Sequence, residues 1–112
     1  MKIYNELESL GFFEWLSETH NLKDTDMTPE CLDELPLNDI HRTVCNSMAF
    51  RWFRENHKLF SQPDITIDKN GNWFYFTIYH LGSFKSVISE GSFIYEDAEL
   101  TCLKKLIEIV KK

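Results

Sequence analysis

A chain of 112 residues that is 43% hydrophobic, with nine Phe, four Tyr and three Trp, has room for one packed domain (1–112) and too much apolar side chain for disorder. Its net charge of −6 gathers at one end: residues 1–40 hold ten acids against Lys2 and Lys23, whereas residues 41–112 hold ten bases against eight acids. That balance disfavours nucleic acid, whose polyphosphate backbone needs clustered Lys and Arg, and suits a basic protein partner or simply solubility. Cys31, Cys45 and Cys102 are odd in number and far apart, so they suggest neither a disulfide framework nor a zinc knuckle, but reduced thiols in a cytoplasm. The opening MKIYNELESL carries acids early and no apolar stretch behind Lys2, so no signal peptide is expected. No run approaches the roughly 18 apolar residues of a membrane span, so no membrane association is expected either.

In chain order, residues 1–37 read as an acidic helical N-terminal segment. Ile3, Leu7 and Leu10 share one helical face, and Gly11 breaks the phase before a second short helix bearing Phe12, Phe13, Trp15 and Leu16. Asn21 to Asp26 reads as loop. Thr28 followed by Pro29 starts a short turn of helix that Pro36 ends. Residues 38–112 then form the core unit. Asn38 is placed to cap a helix in which Ile40, Val44, Met48 and Trp52 recur every four residues through about Lys58. From Asp64 the period becomes two: Ile65 and Ile67 alternate with polar residues, Asn70-Gly71 signals a hairpin, and a strand follows from Trp73 to His80. Phe74, Phe76 and Ile78 point to one side of it, and Trp73, Tyr75, Thr77 and Tyr79 to the other. Gly82-Ser83 turns the chain into a third strand, Phe84 to Glu90, which Gly91-Ser92 closes. The last helix runs from about Glu96 to Val110, with a buried face of Ala98, Cys102, Leu106, Ile109 and Val110 widened by Leu103 and Ile107. The fold class is therefore α+β: a three-stranded antiparallel sheet with two main helices packed on one face, in the order helix, strand, strand, strand, helix.

That order is also the order of the double-stranded-RNA-binding domain, an analogy of topology alone. The family's second helix opens with lysines that straddle phosphates, whereas Tyr95-Glu96-Asp97-Ala98-Glu99 stands here. Over roughly the last 65 residues, the helix AFRWFRENHKLF (49–60), the short aromatic sheet and the ending YEDAELTCLKKLIEIVKK (95–112) resemble a set of small uncharacterised proteins from phages and prophages of gut bacteria. Many of those relatives place Ser or Thr before the final helix as a cap, where Ile94 stands here, so the cap shifts to Ser92 or is lost. The resemblance implies an accessory product of a phage or mobile element and carries no activity with it.

The candidate site is the second strand's outer row, Trp73, Tyr75 and Tyr79. Exposed, these aromatics would form a protein-binding or self-association surface, or stack the bases of a single strand. Alternatively the N-terminal pieces, which also need a place to pack, cover them. His41 and Cys45 lie four apart on one helix, but His20, His57, His80 and the other cysteines fall on different elements, so no metal is expected. Cys45 and Cys102 read as core thiols. Glu99 sits within an apolar arc, where a carboxylate could serve as general acid or base, yet the first turn of a helix, with water near, favours a structural role. No nucleophile elbow, phosphate loop or HExxH is present, so no enzyme and no cofactor are expected. Two alternatives make different demands: a nucleic-acid binder needs Arg42, Arg51, Arg54, Lys58, Lys104 and Lys105 in one patch, and a small hydrolase needs His41 or His80 in a pocket with a carboxylate.

Overall fold

A computed structural model describes residues 2–20 and 28–111, the side chains of Thr19 and His20 apart. The described residues form five helices, α1 (Ile3–Ser9), α2 (Phe12–His20), α3 (Pro29–Glu34), α4 (Ile40–His57) and α5 (Tyr95–Lys111), and three strands, β1 (Leu59–Asp68), β2 (Gly71–His80) and β3 (Ser86–Ile88). The strands make one antiparallel sheet in the order β1-β2-β3, with helices before and after it: the α+β class that the periodicities predict. The loop expected at Asn21 to Asp26 lies outside the described residues.

Local chemistry sets most boundaries. Gly11, with φ of +96°, takes a turn that a side chain would resist and separates α1 from α2. Thr28 accepts a hydrogen bond from the Cys31 amide at 3.2 Å and Pro29 follows in the first turn, so α3 starts as expected. The cap of α4 is Asp39 rather than Asn38: its Oδ1 accepts the His41 amide at 2.8 Å, and a carboxylate also complements the positive helix end. The hairpin turns one residue early, at Lys69–Asn70, because Asp68 Oδ1 takes the Asn70 amide at 2.7 Å and Asp68 pairs with Gly71.

The buried face of α4 also differs from the expected one. Ile40 is 70% exposed and Val44 57%, Met48 is half-buried and Trp52 is buried. Four residues advance about 40° beyond a full turn, so a strict row of every fourth residue winds around the helix from solvent into the core. The true inner stripe is Cys45, Ala49, Trp52 and Phe53, joined by Arg42 and Asn46.

Strand β1 begins at Leu59, earlier than the expected Asp64, because Lys58 adopts the left-handed conformation (φ +57°) and turns the helix directly into the sheet. Pro63 interrupts the alternation but fits the strand. Its partner Phe76 directs both its N–H and its C=O toward Ser89, so the pair makes no bonds to each other and Pro63 presents its nitrogen to the open edge. Strand β3 is shorter than the expected Phe84 to Glu90; Phe84 stands in solvent.

Two helices clamp one sheet face, α4 against β1 and α5 against β2. Phe74, Phe76 and Ile78 point into this layer, Phe50 stacks on Phe76 (centroids 5.6 Å apart), and Tyr95 lies against Phe74 and Phe76. The N-terminal helices pack on the helix pair, α1 on α5 and α2 on α4, with Ile3, Leu7 and Phe12 fully buried. Phe53→Ala should therefore cost about 3–5 kcal/mol of unfolding free energy, whereas Val44→Ala should stay within about 0.5 kcal/mol. Urea titrations of both variants check the assignment, and equal losses would contradict it.

Candidate functional site

Period-two alternation turns Trp73, Tyr75, Thr77 and Tyr79 away from the helices, and the sheet register surrounds them. Thr66 lies opposite Trp73, Asp64 opposite Tyr75, Gln62 opposite Thr77 and Phe60 opposite Tyr79, while Ile88 of β3 flanks Thr77 on the other side. Trp73 is 38% exposed, Tyr79 39% and Ile88 66%, and Tyr75 is half-buried. The described N-terminal helices leave this face open, since they commit their aromatics elsewhere: Phe12 meets Trp52 edge-on at 5.7 Å, and Phe13, Trp15 and Leu16 are partly buried against the same core. The aromatic row is thus an outer surface of the described structure.

Trp73 is also held in place. Between Thr77–Ile88 and Phe74–Ser92, three steps along β2 match four along the returning chain, so one extra residue forms a bulge. Ser89 closes it: its Oγ accepts the Phe76 amide at 3.3 Å and donates to the Phe76 carbonyl at 3.2 Å. Beyond the bulge, the Trp73 indole lies over Gly91, where a Cβ would meet the ring and come within 2.6 Å of the Phe74 carbonyl oxygen. Phe93 contacts Trp73 edge-on at 4.8 Å. On the outward positions of the three strands the charged side chains are Asp64 and Asp68, and neither Lys nor Arg occurs there. Thr77 Oγ1 donates to Asp64 Oδ2 at 3.3 Å.

The second polar constellation is internal. Glu99 is 8% exposed, so it is not the water-facing first-turn carboxylate that the sequence suggests. Asn46 Nδ2 donates to Glu99 Oε1 at 2.8 Å, and Tyr4 Oη donates to Asn46 Oδ1 at 2.5 Å. Arg42 lies over the Tyr4 ring at 5.2 Å and donates from Nη1 to the Leu35 carbonyl at 2.9 Å. Asp33 accepts the Tyr4 and Asn5 amides. Burial pushes the Tyr4 hydroxyl up to about 12 and raises the Glu99 carboxyl above its ordinary value, with the Asn46 bond partly offsetting the latter. The constellation joins α1, α3, α4 and α5.

The remaining candidates do not converge. His41 touches Asp39 at 3.1 Å, but both lie at the exposed start of α4, and Cys45 on the same helix is buried, its thiol pushed up to about 12 by that burial. Cys102 is buried likewise, also pushed up to about 12. No group of three or more His, Cys, Asp or Glu side chains that could hold a metal ion occurs among the described residues. Arg42 is buried and Arg51 is paired with Glu55 at 3.0 Å, so the six basic residues do not form one surface patch. A cavity of about 300 Å³ lies between β3 and α5, lined by Glu90 and Glu108 as well as Lys104 and Lys105; His41 and His80 are not among its lining residues. No helix of the described residues is long and apolar enough to cross a membrane. No family model matches the chain, and no curated protein or solved structure matches it.

Residue periodicity names Trp73, Tyr75 and Tyr79 correctly as one row, but it misses Asp64 and Phe93, which join them only through strand register and the bulge. It misses Asn46 as well, for a lone amide on a helix carries no pattern. Because Glu99 is easier to protonate folded than unfolded, its contribution to stability is full below the unfolded value near 4.5 and is lost as pH rises through the folded one. The difference in unfolding free energy between wild type and Glu99→Gln, followed by urea titration, should fall with pH above 4.5; a flat difference would contradict this. Glu99→Ala, which strands the Asn46 amide, should cost about 1–3 kcal/mol.

Proposed function

We propose that the chain is a small non-catalytic protein-binding module whose contact surface is the outer sheet face carrying Trp73, Tyr75 and Tyr79. One observation supports this above the others: the fold turns an aromatic row away from the helices, with Trp73 and Tyr79 exposed, and holds Trp73 against Gly91 and Phe93. Interfaces are enriched in such aromatics at their energetic centres, and a row that is rigid before binding loses little side-chain entropy on docking. The likeness of residues 49–60 and 95–112 to phage and prophage proteins supports an accessory role in a phage or mobile element, exercised by occupying another protein inside the cell. A nucleic-acid platform has less support, since phosphates would meet Asp64 and Asp68 on this face and Arg42 is unavailable. Hydrolysis has less still, because His41 pairs with its carboxylate on an open helix end.

Pulldown from a lysate of the cells in which the chain occurs, using wild type and the double variant Trp73→Ala, Tyr75→Ala, tests the assignment. Each truncation of a central aromatic should cost about 2 kcal/mol or more of binding, so partner recovery should drop at least tenfold. Circular dichroism should show the fold intact in the double variant. Unchanged recovery would remove the sheet face from consideration.

A further inference from the structure

Asp64 stands directly across from Tyr75 on the outer face, half-buried, with Trp73 diagonal to it. Thr77 supplies a hydrogen bond to Oδ2, and no ion pair forms to Asp64 among the described residues. With Asp68 at the hairpin end of the same face and no Lys or Arg on any outward strand position, the face is aromatic and purely anionic. Any molecule that covers it removes water from a carboxylate, and a charge buried without a counter-charge weakens a complex severely. A cation reverses that effect. It would pair with the free side of the carboxylate while lying against the ring of Tyr75, and the planar guanidinium of arginine suits both contacts.

We infer that the outer face binds a basic peptide segment of a partner protein, and that an arginine or lysine side chain of that segment docks on Asp64 beside Tyr75. The inference rests on the protein-binding assignment of the same face. It narrows the occupant to one chemistry, since an acidic segment or a phosphate backbone would place like charge against Asp64.

An array of short extended peptides of alternating apolar and polar residues, each with Arg, Lys, Gln or Glu at its centre, separates the two levels. The array is probed with labelled wild type, Asp64→Asn and Trp73→Ala, each checked for folding by circular dichroism. Wild type should retain the Arg and Lys peptides at least about tenfold more strongly than their Gln counterparts. Asp64→Asn, which can still accept the Thr77 bond, should reduce that preference to about twofold or less and leave the Gln peptides unchanged, and Trp73→Ala should weaken every peptide. Retention that depends on Trp73 but ignores the central residue would overturn the cation site and leave the face assignment standing. A single-stranded oligonucleotide retained in preference to the basic peptides would overturn it too. No peptide retained, or retention indifferent to Trp73, would overturn both.

Discussion

The side chain of Asn46 is the point on which the arrangement of layers turns. Its carboxamide oxygen accepts from Tyr4 of α1 and its amide donates to Glu99 of α5, while its own helix runs between them. A typical hydrogen bond adds only about 0.5–1.5 kcal/mol net, but a buried polar group stranded without its partner costs about 1–3 kcal/mol, so the three side chains select one another strongly. With Arg42 stacked on Tyr4 and bound to Leu35, the same contacts fix α3 as well. The N-terminal helices are thereby directed to the helix pair, where a polar address awaits them, and not to the sheet, where aromatic surface alone would have been equally attractive to Phe12 and Trp15.

How much of this could be read beforehand depends on whether a feature is local. The sheet, its two faces and α5 were legible because alternation and the 3.6-residue period act over a few neighbours: Phe74, Phe76 and Ile78 inward, Trp73, Tyr75 and Tyr79 outward. The face of α4 was not, since its apolar row drifts and the side chains that decide the orientation, Arg42 and Asn46, are polar and find their partners far along the chain. Register lay between the two. Asn70-Gly71 marks the hairpin, but the Asp68 carboxylate draws the turn back to Lys69–Asn70, and that choice decides whether Asp64 faces Tyr75 or Thr77. Glu99 was misjudged for the same reason as α4: it lies beyond the first turn of α5, which holds Glu96 and Asp97, and the amide that receives it comes from another helix.

The outer face owes its shape to small residues as much as to large ones. Ser89 replaces a lost ladder contact with its own hydroxyl, letting the returning chain gain a residue and rejoin β2 at Ser92. Gly91 then provides a bare stretch of backbone against which the indole packs, with Phe93 edge-on to it. An indole braced in this way is ordered by its own chain, unlike an exposed aromatic on a loop, which would have to be ordered on contact.

The proline in β1 has a consequence for crowded conditions. A long unprotected sheet margin invites a neighbouring molecule to add its own strand, and repeated additions end in fibres. Pro63 sits midway along the margin with its ring directed outward, so an incoming strand would find no donor there and could not zip past the midpoint. The opposite margin, β3, is three residues long and offers little to zip against. The molecule can thus display a sticky aromatic surface at high copy number while denying its twins the backbone contacts from which aggregates grow.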